Sequence, residues 1–431
     1  MSNPLNKVLR NQVLRNMAAL SSVQLVNYLV PLIAVPLVVR SIGVEKFGSV
    51  VFMQSLAMIL AAVADYGFNI TATRQISTHK GNRQELAHIV NKVLFTKISI
   101  FLLLALVIFT LHAISWPWFF GDLSITVSVI LIILGNTTLP VWFFQGIQKM
   151  SYITWWNALS KIAYLILIIA LVKSPDDYIL VLLFYGTTGC IASFVTWLII
   201  QKKFNIHLSM TGIGFDEIQN ELKSGLDIFL SNLAVVSIMN SNALILGLFV
   251  GGEELGYYGI AEKVYLAIWQ LGIAFSQAIF PTVCNLMSKE RPRNAMIGFL
   301  NSYYVPFLGF ITSLCVAILL LAEPVILFFT GSSNPEAVEL VRILAIVPTI
   351  IILNMPANQI ILASGFNSTQ KNISILIGLI NIAINFIFAK QWGVYGTALS
   401  VLLTHIMLTS IFYINLYIFH PQQFIFSKKT A

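Results

Sequence analysis

The sequence is poor in charged residues. Only 10% of its 431 residues are Asp, Glu, Lys or Arg, whereas 58% are hydrophobic and the mean hydropathy is +0.85. A soluble domain with this balance would lack the polar surface that keeps a folded chain in water. The composition therefore excludes an ordinary soluble protein and indicates a membrane protein.

Cysteine and histidine are scarce as well, with three and six residues respectively. Cys190, Cys284 and Cys315 show no CxxC spacing and are interpreted as small buried apolar side chains, not as a disulfide pair. HExxH, Walker and Gly-x-Ser-x-Gly motifs do not occur in the chain. The sequence therefore predicts a protein that is not an enzyme and that needs no metal or other cofactor.

Long apolar runs are what the chain has in abundance. A helix needs about 20 residues to cross ~30 Å of hydrocarbon, and continuous rather than alternating apolar sequence excludes a β-barrel. The predicted fold class is therefore an all-α, polytopic membrane protein with about twelve spans. They lie near 18–39, 49–70, 94–115, 124–145, 155–173, 179–200, 226–250, 257–281, 299–321, 338–362, 372–389 and 395–418.

Basic residues are distributed unevenly between alternate gaps. If both termini are cytoplasmic, seventeen Lys and Arg residues lie in cytoplasmic gaps and four lie in outer gaps, namely Arg40, Lys46, Lys173 and Lys390. Cytoplasmic loops carry the excess of basic residues, so this orientation is predicted. The net charge of +8 is then mostly a signal for topology and not for nucleic-acid binding.

A short pattern recurs about halfway along the chain. The first copy is Gly43, Glu45 and Gly48, and the second is Gly251, Glu253 and Gly256. Six spans separate the copies, which predicts two parallel six-helix lobes around a central cavity. The predicted parts are an N-lobe at 1–200, a cytoplasmic linker with a short interfacial helix at 201–224, and a C-lobe at 225–431. The alternative is a chance match, since these are common turn residues.

Polar side chains also fall inside the apolar runs. Ionisable groups there are costly and by default indicate a functional site. Ionisable and amide side chains recur at helical spacing and form five polar stripes, each on one helix face, in spans one, two, five, eight and eleven. One stripe alone would be explained by hydrogen bonds between helices, whereas five from both halves predict a shared polar cavity. For Lys97, Lys161 and Asp227, simple anchoring at the membrane interface is the competing interpretation.

Four segments resemble a known family. They are NYLVPLIAVPLVVRSIGVEKFG at 27–48, DYGFNITATRQIS at 65–77, PVWFFQGIQKMSYIT at 140–154, and SGLDIFLSNLAVVSIMNSNALILGLFVGGEELGYYGIAEKV at 224–264. They are similar to the Wzx-type O-antigen flippases, in the polysaccharide branch of the multidrug/oligosaccharidyl-lipid/polysaccharide exporter superfamily. Two departures from the family pattern are Leu37, where an aromatic residue is usual, and Thr282, where a basic residue is usual.

The resemblance implies a flippase of the bacterial inner membrane with twelve helices in two lobes. Its substrate would be an undecaprenyl-diphosphate-linked oligosaccharide repeat unit, moved from the cytoplasmic to the periplasmic leaflet by alternating access, with ion coupling. Membrane lipids and a polysaccharide polymerase complex are the other expected partners, and nucleic acid is not.

Site residues follow from the intramembrane polar groups together with the resemblance. The basic groups would meet the diphosphate, with Arg74 at the cytoplasmic mouth, and the amides would meet sugar hydroxyls. The expected cavity set is Lys263, Arg342, Lys161, Lys97, Arg74, Gln54, Gln270, Gln277, Asn27, Asn381 and Asn385. Asp65, Asp227 or Glu262 would neutralise a cavity cation or carry the coupling ion.

Two other functions remain open. A multidrug or cation antiporter of the same fold is disfavoured because four intramembrane bases outnumber three acids. A scaffold subunit of a glycan assembly complex that transports nothing would have no reason to keep the polar stripes.

The predicted topology can be tested with reporter fusions. A reporter joined after Lys203 should be cytoplasmic and one joined after Glu254 should be periplasmic, because the two positions flank one span. Paired phosphatase and fluorescent-protein fusions measure the two locations. The reverse pattern would contradict the orientation.

Overall fold

The computed structural model describes residue 30 and residues 32–114, 122–209, 213–287 and 292–419, all of whose regular structure is helical. The elements are α1 (Leu32–Ile42), α2 (Val44–Asp65), α3 (Phe68–Thr78), α4 (Arg83–Ala113), α5 (Leu123–Thr138), α6 (Val141–Gly146), α7 (Ser151–Leu171), α8 (Tyr178–Phe204), α9 (Phe215–Leu246), α10 (Gly252–Met287), α11 (Pro292–Phe299), α12 (Val305–Leu320), α13 (Ala322–Thr330), α14 (Pro335–Leu344), α15 (Val347–Ala363) and α16 (Asn367–Phe419). A 3₁₀ turn at Pro175–Asp177 precedes α8, and a π-helical turn at Leu300–Tyr304 precedes α12.

Ten helical segments among the described residues are long and apolar enough to cross a membrane. The last covers the two predicted spans 372–389 and 395–418, and its backbone leaves the helical conformation at Gly393, where φ is 54°. Of the first predicted span, most lies outside the described residues, and its end corresponds to the short apolar helix α1. The all-α membrane fold is confirmed, whereas the count of twelve spans stays a prediction.

The chain divides into two compact units. One comprises Leu56–Leu233 with the segment up to Ile42, and the other comprises Gly43–Ser55 with Ala234–Ala431. Helices α2 and α9 each contribute to both units. The predicted interfacial helix in the linker differs from the structure, because residues 215–222 are the first turns of the 32-residue α9. Lys223, Ser224 and Gly225 would favour a helix end there, but α9 continues through them.

The core of the N-terminal unit forms around the aromatic sequence Trp142, Phe143 and Phe144 of α6. These three side chains are at most 1% exposed and pack against α3, α4 and α8. The indole of Trp197 donates a hydrogen bond of 2.7 Å to the carbonyl of Thr138, which ties α8 to the end of α5. A six-residue helix is too short to be stable alone, so its burial in this cluster stabilises it.

In the C-terminal unit, the two copies of the recurring glycine pattern lie against each other. A Cβ atom at Gly48 of α2 would collide with the carbonyl oxygen of Gly252 and lie 2.8 Å from the Gly256 nitrogen of α10. A Cβ atom at Gly256 would collide with the carbonyl oxygen of Val44. Helices that approach this closely in a membrane need small residues at the contact, and here glycine is the only residue that fits.

A proline bends α15 in the same unit. Pro356 has no N–H group, so the carbonyl of Ile352 has no donor at the usual position one turn later. The hydroxyl of Tyr304 donates to that carbonyl at 2.6 Å, and the hydroxyl of Tyr413 donates to the neighbouring Leu353 carbonyl at 2.9 Å. Tyr304 thereby replaces the missing backbone bond, and Tyr413 adds a hydrogen bond from α16 to α15.

Candidate functional site

The first candidate site lies where α2 breaks. α2 ends at Asp65, Tyr66 and Gly67 have φ angles of 51° and 77°, and α3 begins at Phe68. The ring of Tyr66 stacks on Phe229 with centroids 4.4 Å apart, and its hydroxyl donates to the Leu222 carbonyl at 3.1 Å. Broken helices within membranes are typical of transporter binding sites, because freed backbone groups and side chains meet there.

A buried ion pair lies at this break. The Lys97 ammonium donates to the Asp65 carboxylate at 2.7 Å, and Lys97 and Asp65 are only 1% and 7% exposed. The Asn69 amide donates a second bond to Asp65 at 3.0 Å. Lys97 is therefore buried in the N-terminal unit instead of reaching an interface. Its charge is balanced by Asp65, so the two residues form a neutral pair.

A second polar cluster joins α9 to α3 and α4 in the N-terminal unit. Lys92 pairs with Glu221 at 2.7 Å, Gln75 donates to Glu221 at 2.7 Å, and His88 lies 3.1 Å from Glu217. The sequence interpretation missed this cluster. Two pairs at i, i+4 spacing, His88 with Lys92 and Glu217 with Glu221, were the signal that could have revealed two facing helices.

On α10 of the C-terminal unit, Glu262 and Lys263 form a looser pair. Glu262 is 3% exposed, and one of its oxygens lies 3.4 Å from the Lys263 ammonium. Its other oxygen has no hydrogen-bond donor among the residues described, and the same holds for the buried Tyr258 hydroxyl. The Lys263 side chain is 32% exposed. This carboxylate is only half satisfied, in contrast to Asp65.

An amide cluster occupies the interior of the C-terminal unit. Asn381 donates to Thr404 at 3.0 Å and to Asn242 at 3.3 Å, and Asn385 donates to Asn242 at 3.1 Å. Both α16 amides are 0% exposed. Their hydrogen bonds connect the first half of α16 to α9 and to the second half of α16. Asn242 is the partner that the sequence interpretation did not single out.

The remaining expected cavity residues are spread over several helices. Lys161 lines a pocket in the N-terminal unit, Gln54 and Gln270 are half-buried, and Gln277 and Asp227 are exposed. Arg74 is exposed on α3, and Arg342 is exposed on α14 with its guanidinium 3.7 Å from Glu339. Asn27 lies outside the described residues. That all of these side chains line one shared cavity stays a prediction.

Known proteins match the chain over most of its length. A family model described as polysaccharide biosynthesis protein matches residues 13–287. A protein of Escherichia coli (strain K12) named "Putative O-antigen transporter" is 26% identical over 91% of this chain and 94% of its own length. A protein of Shigella dysenteriae with the same name is 24% identical over 89% and 94% of the two chains.

Solved structures show the same fold. The lipid II flippase MurJ in an inward closed conformation superposes with a TM-score of 0.72 at 16% identity, over 94% of this chain and 89% of that one. An inward-facing multidrug resistance MATE family transporter of the MOP superfamily superposes with a TM-score of 0.68 at 13% identity, over 94% and 96% of the two chains. The chain therefore shares its fold with these two proteins, one named as a flippase and the other as a transporter.

The Asp65–Lys97 pair can be tested by removing each charge separately. Asp65→Asn or Lys97→Met should each lower the free energy of unfolding by about 3–5 kcal/mol, because an unpaired charge would remain buried. The double variant should recover most of that loss. Thermal unfolding of the purified protein measures the effect.

Glu339→Gln is the matched control for this experiment, since it breaks the exposed Arg342–Glu339 pair and should change stability by about 0–1 kcal/mol. Single variants as stable as wild type would show that Asp65 and Lys97 are not coupled in this way.

Proposed function

The chain belongs to the polysaccharide biosynthesis protein family, and we propose that it flips undecaprenyl-diphosphate-linked O-antigen repeat units from the cytoplasmic to the periplasmic leaflet. It is a multi-pass membrane protein with a transporter fold, and we place it in the bacterial inner membrane with both termini in the cytoplasm. The names of its two relatives, each matched over 94% of its length, support the O-antigen class of cargo.

The observation that carries this proposal is the position of Lys263. Its Cα atom lies about 16 Å along α10 from Gly252, within a segment long and apolar enough to cross a membrane, and its side chain is partly exposed. A cation at that depth favours an anionic cargo and disfavours a cationic drug. A diphosphate meets this requirement, and Arg342 and Lys161 are further basic groups on helices long and apolar enough to cross a membrane.

The physical task also fits such a cargo. Sugars and a diphosphate cannot cross hydrocarbon unaided, because their polar groups would lose their hydrogen bonds to water. The polyprenyl chain is apolar and can stay in the lipid while the head group passes through the protein. The transport mode we propose is alternating access, in which the binding site for the head group opens to one side of the membrane and then to the other.

We place the coupling ion at Glu262. Asp65 is already balanced by Lys97, and Asp227 is exposed. Glu262 is buried with one oxygen that no described donor contacts. A single oxygen suffices to bind a proton, whereas a metal cation needs several oxygen ligands. The coupling ion we propose is therefore a proton.

Surface polysaccharide in cells tests the cargo assignment. Lys263→Ala and Arg342→Ala should each reduce it about tenfold or more, since each removes a charge-assisted contact to the diphosphate. Lys263→Arg should retain more activity than alanine. Lipid-linked repeat units should accumulate in the cytoplasmic leaflet.

Lys390→Ala is the control, because Lys390 is exposed on α16 and has no assigned role. Protein level and membrane insertion are measured in parallel. Unchanged surface polysaccharide in both alanine variants, or transport of a cationic dye in place of the glycolipid, would contradict the proposed cargo.

Proton coupling can be measured in proteoliposomes that contain a fluorescent lipid-linked oligosaccharide. An imposed pH gradient should change the rate of flipping by wild-type protein but not by Glu262→Gln, which cannot release a proton at this position. Glu339→Gln should respond like wild type. Gradient-dependent flipping by Glu262→Gln would show that the coupling ion binds elsewhere.

A further inference from the structure

A pocket lies within the N-terminal unit, between α5, α7 and α8. Its cavity volume is about 70 Å³. Asn157, Ser160, Lys161 and Tyr164 line it from α7, and their i, i+3, i+4, i+7 spacing places them on one helix face. Lys161 is the eleventh residue of α7, about 15 Å along its axis, so the pocket is not a feature of the helix end. We call this space the Lys161 pocket.

Two walls of the Lys161 pocket are held by close helix packing. A Cβ atom at Gly135 of α5 would lie 2.9 Å from the Cys190 nitrogen, and one at Gly186 of α8 would lie 2.8 Å from the Leu131 Cβ. At Gly189, in contrast, a Cβ atom would have its nearest neighbour at 3.9 Å. α5 and α8 therefore cannot move closer, and a single methyl group at Gly189 would fit in ordinary van der Waals contact.

The lining supplies hydrogen-bond donors and one positive charge. Lys161 contributes an ammonium, and Asn136 and Asn157 contribute amides. One Asn136 N–H is used by the Ile132 carbonyl at 2.9 Å, and the Ser160 hydroxyl is used by the Asn157 carbonyl at 2.8 Å. The described residues that line the pocket include no Asp or Glu. This donor set suits an anion, and multiple N–H donors around an ammonium suit phosphate oxygens.

An aromatic pair completes the pocket. Tyr164 and Tyr185 both line it, and their rings meet edge to face with centroids 5.7 Å apart. Aromatic rings beside a polar group accept the apolar faces of a ligand while the donors hold its charge. The pocket therefore combines an anion subsite with an apolar surface.

We propose that the Lys161 pocket binds a phosphate-type anion carried on a lipid, with Lys161 as the charged contact. The assignment of that anion to the diphosphate of the lipid-linked cargo rests on the proposed function. A membrane phospholipid has the same phosphate chemistry and is the other source that an experiment must distinguish.

Binding to the purified full-length protein tests this site. Native mass spectrometry measures retention of three probes: undecaprenyl diphosphate, phosphatidylglycerol, and undecaprenol, which lacks phosphate. Wild-type protein should retain undecaprenyl diphosphate in preference to undecaprenol. Lys161→Gln should weaken this binding by about tenfold or more, since one charge-assisted bond is lost, whereas Lys161→Arg should weaken it less.

A second variant tests the pocket without changing its charge. Gly189→Ala adds one methyl group to the pocket lining, 3.9 Å from the Gly135 Cα, and should weaken binding in the same direction as Lys161→Gln. Gly309→Ala is the matched control, because a Cβ atom at Gly309 on α12 meets no atom within 4 Å. Lys390→Gln is the control for loss of a positive charge. Unfolding temperatures show whether the variants are folded.

The outcomes separate this proposal from the proposed function. Retention of phosphatidylglycerol with the same dependence on Lys161 and Gly189 would support the phosphate site and identify its occupant as membrane lipid. Binding of both phosphate probes that is unaffected by either substitution would overturn the site, whatever the flipping activity. Wild-type protein that binds undecaprenyl diphosphate here but does not flip lipid-linked oligosaccharide would overturn the function and leave the site standing.

Discussion

Hydrocarbon offers no hydrogen-bond partners, and this constraint decides where the polar groups of the chain are held. The carbonyl freed by Pro356 is bonded by Tyr304, and the amides of Asn381 and Asn385 are bonded by neighbouring helices. Each such bond joins two elements that apolar contacts alone would leave free to slide. The polar residues of the spans therefore specify which helix surfaces meet, in addition to any role in transport.

The same constraint separates two kinds of intramembrane charge. Asp65 and Lys97 satisfy each other at 2.7 Å, with Asn69 as a further donor, at a break in the helix. Glu262 and Lys263 are 3.4 Å apart, with one carboxylate oxygen left without a described donor and the lysine partly exposed. A satisfied pair is costly to separate, whereas a half-satisfied one can exchange a proton or meet an anion at lower cost. On this geometry, a structural role suits Asp65 and Lys97, and the proposed transport role suits Glu262 and Lys263.

Glycine plays a comparable part at the recurring sequence pattern. Gly48 of α2 and Gly252 and Gly256 of α10 allow two backbones to touch within the C-terminal unit. The spacing indicates a repeat, but it does not by itself reveal that Gly48 packs against Gly252 and Gly256. Small residues are needed at such a contact because two helix backbones approach closely where they cross.

The sequence by itself determined that the protein is an all-α membrane protein, because apolar length and continuity are properties of the chain alone. It also identified Asp65, Lys97, Glu262 and Lys263 as charges within its apolar runs. Tertiary structure decided their partners. Asp65 bonds to a lysine 32 positions away, and Glu221 bonds to Gln75 on another helix. Helical spacing specifies the face on which a side chain lies, but only packing decides which neighbouring helix that face meets.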